Sequence, residues 1–195
     1  ERNGEGYMSE KIMWKPGNML APVPAVLVSC ADEEGKPNVM TAAWTGTICS
    51  DPAMVYVSIR PDRYSHDIIE RTGAYTLNLT TADMVRAVDY CGVKSGAKED
   101  KFAACGLHIL PGKTIDVPYL EESPLSLECR VTEIKRLGSH DMFMAQITAV
   151  LVDESYLDGR GRLAMEDAGL INFIHGEYFA TGEKTGSFGY SVRKK

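Results

Sequence analysis

Hydrophobic and polar positions along the chain follow mainly the two-residue period of β-strands. Apolar, β-branched and aromatic runs at residues 25–31, 54–60 and 74–79 predict three strands. From Leu125 the apolar residues alternate with polar ones through residue 132, which predicts a half-buried antiparallel strand. A glycine-containing turn follows, and residues 142–152 return as a long strand.

Three short helices are predicted between these strands. We expect the first to start at Ser65, acting as its N-cap, and to run through about Arg71. A second follows Thr80 or Thr81, and a third covers residues 99–105. Glycines that are typical of helix ends follow the three helices: Gly73, Gly92 and Gly106.

Antiparallel strands joined by hairpins, with short helices inserted between them, indicate a mostly β protein built as a closed barrel. The strands do not alternate with long helices, so a doubly wound sheet is not expected. No G-x-G-x-x-G follows a strand, and a Rossmann dinucleotide site is therefore not predicted. We expect one domain, with an N-terminal arm at residues 1–21, a barrel at 22–183 and a tail at 184–195.

Composition restricts the class of function. The chain has 195 residues, a net charge of −6, 44% hydrophobic and 25% charged residues, so neither nucleic acid nor a membrane surface is the expected partner. No apolar run approaches the length of about 20 residues that a membrane-spanning helix needs. We therefore expect a cytoplasmic protein. The five cysteines are widely spaced and fit reduced thiols, and the four histidines form no local metal motif, so no metal site is predicted.

The stretch from Asn38 to Ser65 carries the unusual chemistry. It is interpreted as two strands joined by a tight corner at residues 50–52, followed by a loop that opens a helix. The first strand ends in small and hydroxylated residues around one large aromatic, Trp44. Short side chains let a flat ligand approach the backbone, and hydroxyls offer directional hydrogen bonds. A planar polar ring attached to a phosphate is the ligand that this pairing suggests.

The phosphate end of such a ligand would lie at the loop after the second strand. Arg60, Arg63 and Ser65 surround the start of the first helix, where free backbone N–H groups and guanidinium groups suit phosphate oxygens. Lys98 and Lys101 could supply a second basic wall. The alternative is a solvated arginine loop in which Ser65 only caps the helix and the lysines are surface residues.

The ring end would lie on the first strand. Thr45, Thr47 and Cys49 are alternate residues and are therefore expected on one face, with backbone amides of residues 46–49 beside them. The alternative is that threonine and cysteine are only β-formers in a barrel wall. A catalytic thiolate at Cys49 is not predicted, because no neighbouring histidine in the sequence would lower its pKa.

His175 is the best single candidate for contact with a second substrate, and it is the only catalytic residue that we predict. It begins the aromatic segment HGEYF, where it could donate a hydrogen bond or carry a charge. A purely structural role is the alternative.

Four segments carry a resemblance to a known family: PGNMLAPVPAVLVSCAD, NVMTAAWTGTICSDPAMVYVSIRPDRYSHDII, SGAKEDKF and HGEYFATGE. With them the chain, from about Lys15 to Glu183, resembles the flavin reductase-like, FMN-binding split-barrel family and its flavoredoxin branch. The resemblance implies a Greek-key antiparallel split barrel, a homodimer and non-covalent FMN. One departure is Ala53, where relatives often have a second proline after Asp51-Pro52.

The resemblance also implies roles for particular residues. The first strand would face the flavin ring, the loop after the second strand would receive the phosphate, and the SGAKEDKF lysines would be a weaker phosphate-side contact. The residues predicted to bind the cofactor are Ala43, Trp44, Thr45, Gly46, Thr47, Ile48, Cys49, Arg60, Arg63, Tyr64, Ser65, Lys98 and Lys101.

Three functions follow as hypotheses. The first is an FMN-dependent oxidoreductase that moves electrons from NAD(P)H to flavin, ferric complexes or a redox partner protein. The second is an electron carrier on the same scaffold, without NAD(P)H turnover of its own. The third is a flavin-free barrel that binds another anionic ligand or a partner protein. The sequence contains no nicotinamide-binding motif that would separate the first from the second.

Overall fold

The computed structural model describes residues 10–192. Its regular elements are mostly strands, as predicted, with three α-helices and short 3-10 turns between them. The strands are β1 (Val23–Pro24), β2 (Val26–Ala31), β3 (Pro37–Ala42), β4 (Thr45–Ser50), β5 (Ala53–Ile59), β6 (Ala74–Leu79), β7 (Ile109–Leu110), β8 (Tyr119–Leu120), β9 (Leu125–Arg136), β10 (Asp141–Val152), β11 (Ile171–Ile174) and β12 (Glu177–Ala180). The helices are α1 (Tyr64–Thr72), α2 (Val85–Val93) and α3 (Lys101–Cys105).

One antiparallel sheet of seven strands, in the order β3-β2-β6-β9-β10-β5-β4, forms the body of the protein. Its first and last strands, β3 and β4, are joined by only Ala43 and Trp44. Three Cα–Cα steps separate Ala42 from Thr45 and span at most about 11 Å, so the end of β3 and the start of β4 must lie close together. The sheet therefore curls into a barrel, which confirms the mostly β fold with inserted helices.

The single strand that we expected from Asn38 to Cys49 is wrong. The chain leaves β3 after Ala42, crosses the seam of the barrel, and starts β4 at Thr45. Within the crossing the carbonyl of Trp44 accepts a hydrogen bond from the Ser58 amide at 2.8 Å, so this residue is already held by β5. The segment is split because its first half pairs with β2 and its second half with β5.

The glycine predicted to follow each helix does so for two of the three helices. Gly73 and Gly106 follow α1 and α3 in the left-handed conformation, with φ of 67° and 65°. Gly92 does not end the second helix, since α2 continues to Val93. Asp100 caps α3 by accepting hydrogen bonds from the amides of Phe102 and Ala103.

Two large buried clusters and one small cluster make up the interior of the described chain. The barrel core contains Val28, Val57, Tyr75 and Phe143, all fully buried. A second cluster fills the space between the sheet and the helices, with Leu27, Val39, Val88, Cys91 and Phe102 among its members. Because α2 and α3 pack on β3, this edge of the sheet is covered. Strand β4, at the other edge, pairs only with β5.

The predicted arm is described from residue 10 onward. Residues 10–21 form no helix or strand, and Met13 and Trp14 in this part of the arm are 98% and 68% exposed. A small sheet of order β1-β11-β12 precedes the tail. Residues 1–9 of the predicted arm and 193–195 of the predicted tail fall outside the described residues, and the division into arm, barrel and tail stays a prediction. No helix in the described part of the chain is long and apolar enough to cross a membrane.

Candidate functional site

A cavity of about 270 Å3 opens where the start of α1, the end of α2 and strand β3 meet. Four cationic side chains and one carboxylate border it, so the cavity favours an anion. Its lining consists of Asn38, Met40, Arg60, Asp62, Arg63, Tyr64, Ser65, Cys91, Lys94, Ser95, Gly96 and Lys101. We call it the anion pocket.

Arg63 stands directly before α1 and shapes one wall of the anion pocket. Its backbone is extended, and within the described residues no side chain caps this helix start. The first N–H groups of α1 are therefore available to a ligand. The Arg63 guanidinium donates to the carbonyl oxygen of Gly92 at 2.9 Å, which holds the side chain against the end of α2.

Ser65 does not cap the helix, contrary to the prediction. It lies one residue inside α1 and is 1% exposed, and its hydroxyl oxygen accepts a hydrogen bond from Asn38 Nδ2 at 2.7 Å. The Asn38 amide is held on its other side by the backbone of Gly96. A Cβ atom at position 96 would come within 1.8 Å of Asn38 Oδ1, so only glycine leaves room there.

Lys101 forms the deep wall of the anion pocket. The side chain is 3% exposed, and its ammonium group donates to the carbonyl oxygens of Cys91 and Lys94 at 3.2 Å each. Burial lowers the pKa of Lys101, and the neighbouring Arg63 charge lowers it further. Arg63 and Lys101 thus both bind carbonyls at the C-terminal end of α2, where the helix dipole favours cations.

Cys30 lies beneath the pocket. Burial raises the pKa of its thiol to about 11, although hydrogen bonding from Ser65 offsets part of this. Burial likewise raises the pKa of the Cys91 thiol to about 12, with the neighbouring Cys105 adding to the effect. Both thiols are therefore protonated at neutral pH and do not act as nucleophiles.

Strand β4, predicted to face a ring, lies at the open edge of the barrel. Trp44 and Ile48 are 39% and 45% exposed, so a ligand or a partner can reach this edge. The Thr45 hydroxyl donates to the carbonyl of Tyr56. Gly46 lies under the Tyr56 ring, since an added Cβ would be 3.1 Å from Tyr56 Cε1.

The prediction that Thr45, Thr47 and Cys49 share one face is wrong. Thr47 is opposite Val55 but Cys49 is opposite Met54, so Ile48 is an extra residue in a β-bulge. Directly opposed residues point to the same face, so the bulge moves Cys49 to the face opposite that of the two threonines. The Cys49 thiol donates to the carbonyl of Asp51 at 3.4 Å.

Trp44, next to β4, forms an aromatic pair with His140. The rings of Trp44 and His140 have centroids 4.4 Å apart and are tilted by 39°. Burial lowers the pKa of His140, and the Arg60 charge lowers it further. The neutral imidazole is thus favoured beside Trp44.

A buried polar network links this pair to the first helix. His66 is 3% exposed, and its Nε2 lies 2.8 Å from Asp141 Oδ2. Its Nδ1 lies 2.9 Å from Asp67 Oδ1. His66, Asp67 and Glu70 bring ligand atoms within 4.8 Å of one another, but both imidazole nitrogens are already hydrogen-bonded to carboxylates. We interpret the network as structural.

The structure brings part of the predicted site together. Five of the predicted residues line the anion pocket: Arg60, Arg63, Tyr64, Ser65 and Lys101. Lys98 lines an adjoining cavity of about 390 Å3 that shares Asn38, Gly96 and Lys101 with it. Ala43 and Trp44 form the seam crossing, and residues 45–49 form β4.

His175 lies elsewhere. It occupies, with Gly176, the two-residue turn between β11 and β12, has φ of 47° and is exposed. It does not line the anion pocket. Its predicted contact with a second substrate stays a prediction.

The residues of this region that sequence reasoning missed include Asn38, Lys94, Gly96 and His140. The glycine in the KSGAK loop was the one available signal, because a glycine between polar residues can mark a close backbone approach. The other three depend on long-range contacts that the order of residues does not reveal.

Comparison with known proteins places this geometry in a family. Residues 19–179 match the flavin reductase like domain. The structure is similar to flavoredoxin of Desulfovibrio vulgaris (Miyazaki F), with 33% identity, a TM-score of 0.88, and coverage of 94% of this chain and 100% of that one. It is also similar to an FMN-binding protein from Thermus thermophilus, with 27% identity, a TM-score of 0.76, and coverage of 94% and 99%.

A relative with a named activity is the NADH:riboflavin 5′-phosphate oxidoreductase of Streptomyces pristinaespiralis. It is 25% identical over 121 residues, which cover 62% of this chain and 66% of that protein. The predicted Greek-key split barrel is confirmed by the family match and by the structural neighbours. The chain therefore belongs to the flavin reductase-like split-barrel family, on its flavoredoxin branch.

Proposed function

We propose that the protein is an FMN-dependent oxidoreductase that binds the flavin non-covalently across the anion pocket and the β4 edge. The observation that carries the proposal is the anion pocket itself, where two guanidiniums, two ammonium groups and an uncapped helix start converge. Support also comes from the FMN-binding relative and from flavoredoxin.

The residues present fit a phosphate monoester. Such a group carries a charge of about −1.5 to −2 at neutral pH and offers several acceptor oxygens. Arg63, Lys101 and the Ser65 hydroxyl are donors fixed in place before any ligand arrives, because each has a partner within the protein. This pre-ordering reduces the entropy lost on binding.

The ring would lie along the open edge of β4. The backbone there is accessible, and Thr45 and Gly46 present little bulk toward the strand edge. When bound, the flavin supplies the hydride and electron chemistry. The chain contributes position, hydrogen-bond donors and the exclusion of water by Trp44 and its His140 neighbour.

A homodimer is part of the proposal. The described part of the arm exposes a run of large apolar side chains, with Ile12, Met13, Trp14 and Leu20 each at least 68% exposed. The free β4 edge exposes Ile48 as well. Such surfaces are typical of protein interfaces, and a second copy would cover them. Sedimentation of the purified protein checks this, with a monomer at micromolar concentration as the contradicting result.

Two electron routes stay within the proposal. The Streptomyces relative, which is named an NADH:riboflavin 5′-phosphate oxidoreductase, supports a reduced nicotinamide as co-substrate. The alternative route is an electron carrier on the same scaffold that serves a redox partner protein. A reducing cytosol is the expected compartment, supported by five free thiols in the described chain.

The experiment has two steps. The purified protein is titrated with FMN and monitored by visible absorbance and flavin fluorescence; a protein that binds no FMN contradicts the proposal. The FMN complex is then mixed anaerobically with NADH or NADPH in a stopped-flow instrument. Fast bleaching supports the NAD(P)H-dependent enzyme, whereas bleaching only by a reduced partner protein supports the carrier.

A further inference from the structure

Asn38 is buried at the border of the anion pocket and has no charge to offer an anion. Its side-chain amide instead lies between two neighbours, Ser65 and Gly96. It is 6% exposed, donates to Ser65 Oγ at 2.7 Å, and directs Oδ1 toward the Gly96 backbone. In this orientation Nδ2 is the donor of the bond to Ser65, and the Ser65 oxygen is its acceptor.

We propose that Asn38 is a positioning residue that turns the Ser65 hydroxyl into a phosphate donor, and that Gly96 is required to hold the Asn38 amide in place. A hydroxyl has one hydrogen to donate and two lone pairs to accept with. Because Asn38 supplies the hydrogen of their shared bond, Ser65 does not use its own hydrogen on Asn38. The inference rests on the proposed function, since it needs a phosphate-bearing ligand.

The surroundings leave few other uses for that hydrogen. Cys30, the other neighbour of Ser65, remains a protonated thiol because burial raises its pKa to about 11, and a thiol is a weak acceptor. The Arg63 side chain lines the same pocket and can only donate. An anion in the pocket is therefore the strong acceptor for the Ser65 hydroxyl.

The test compares FMN with riboflavin, which has the same ring and ribityl chain but no phosphate. Asn38→Ala should weaken FMN binding about fivefold, the effect of one ordinary hydrogen bond, and leave riboflavin affinity unchanged. Asn38→Asp should weaken FMN binding more, because its carboxylate takes the Ser65 hydrogen and repels the phosphate. In a Ser65→Ala background, Asn38→Ala should have no further effect on the FMN-to-riboflavin affinity ratio.

Gly96→Ala tests the same contact without removing any hydrogen-bonding group. Its Cβ would displace the Asn38 amide, so FMN affinity should fall in the same direction as in Asn38→Ala. The double variant Asn38→Ala/Gly96→Ala should bind FMN no more weakly than Asn38→Ala alone, because removal of the Asn38 amide leaves space for the added Cβ. If Asn38→Ala does not fold, the FMN and riboflavin affinities of Gly96→Ala still test the role of Asn38.

Matched controls come from residues that line neither the anion pocket nor the adjoining cavity. Asn172→Ala removes another amide-to-hydroxyl hydrogen bond, from Asn172 to Thr181 at 3.1 Å, and should leave both affinities unchanged. Gly159→Ala adds a Cβ with no atom within 4 Å and should do the same. Equal loss of FMN and riboflavin affinity in Asn38→Ala, or no loss of either, would overturn the inference. A wild-type protein that binds neither flavin would overturn the proposed function.

Discussion

Arg63 Nη1 donates to the carbonyl oxygen of Gly92 at 2.9 Å, which anchors the residue before α1 to the last turn of α2. The guanidinium is thus held at the anion pocket by a backbone group, and its remaining N–H groups can face a ligand. Arg63→Ala should weaken FMN binding by about 1.5–3 kcal/mol, the range of a charge-assisted hydrogen bond, in a fluorescence titration. Arg71→Ala, on the same helix but 51% exposed and paired with Glu33, is the matched control. Equal FMN affinities of the two variants would remove Arg63 from the site.

Asp141 binds a buried side chain of α1, His66. It is 5% exposed, and its carboxylate binds both His66 and Arg136. Burial by itself would raise the pKa of Asp141, but the hydrogen bonds from His66 and Arg136 outweigh it and lower the pKa. Asp141→Ala should therefore reduce the free energy of unfolding by about 3 kcal/mol in urea denaturation, because His66 loses its buried partner.

Glu33→Gln is the control for that measurement, since Glu33 forms an exposed pair with Arg71 at 3.1 Å. We expect a change below about 1 kcal/mol there. A loss in Asp141→Ala no larger than in Glu33→Gln would show that the network contributes little to stability.

His140 should titrate below its ordinary pKa of 6.5, because burial and the nearby Arg60 disfavour the imidazolium. The midpoint of its ring resonances in an NMR titration measures this. Arg60→Ala should move the midpoint upward, since a positive charge is removed. A His140 midpoint above 6.5 in the wild-type protein would contradict the burial of this ring.

The five thiols should divide into two groups. Burial raises the pKa of Cys30 to about 11 and of Cys91 and Cys129 to about 12, whereas Cys49 and Cys105 are only partly buried. At pH 8 a thiol with a pKa near 11 is ionised in about one molecule per thousand, so the three buried thiols should react slowly with a disulfide reagent. We expect at most two fast thiols in the native protein and five after denaturation; three fast thiols would contradict the structure.

Alternating apolar residues were sufficient to predict most strands, because a strand with one buried face has an apolar residue at every second position. Strand β6 was predicted at its observed bounds, Ala74–Leu79. The break at Ala43–Trp44 was missed, since the small residues on both sides suit a strand and only the barrel seam decides where they pair. The bulge at Ile48 was missed because register depends on the partner strand.

In the candidate site, too, residues close together in the sequence could be predicted, whereas contacts between distant residues could not. The anion-pocket residues Arg60 to Ser65 could be grouped from the sequence, since a short loop before a helix keeps them together. Asn38 and Gly96 are 58 positions apart in the chain, and no local pattern links them. The sequence predicts Ser65 as a helix cap because serine is a common N-cap residue. In the structure its hydroxyl oxygen instead accepts a hydrogen bond from Asn38.

If the anion pocket holds the phosphate of a bound flavin, removing the phosphate from the ligand should weaken binding. Isothermal titration calorimetry of the wild-type protein with FMN and with riboflavin, at one pH and salt concentration, measures this difference. The phosphate should contribute at least one charge-assisted hydrogen bond, so FMN should bind at least about tenfold more tightly than riboflavin. Equal affinities for the two flavins would show that the pocket does not bind the phosphate.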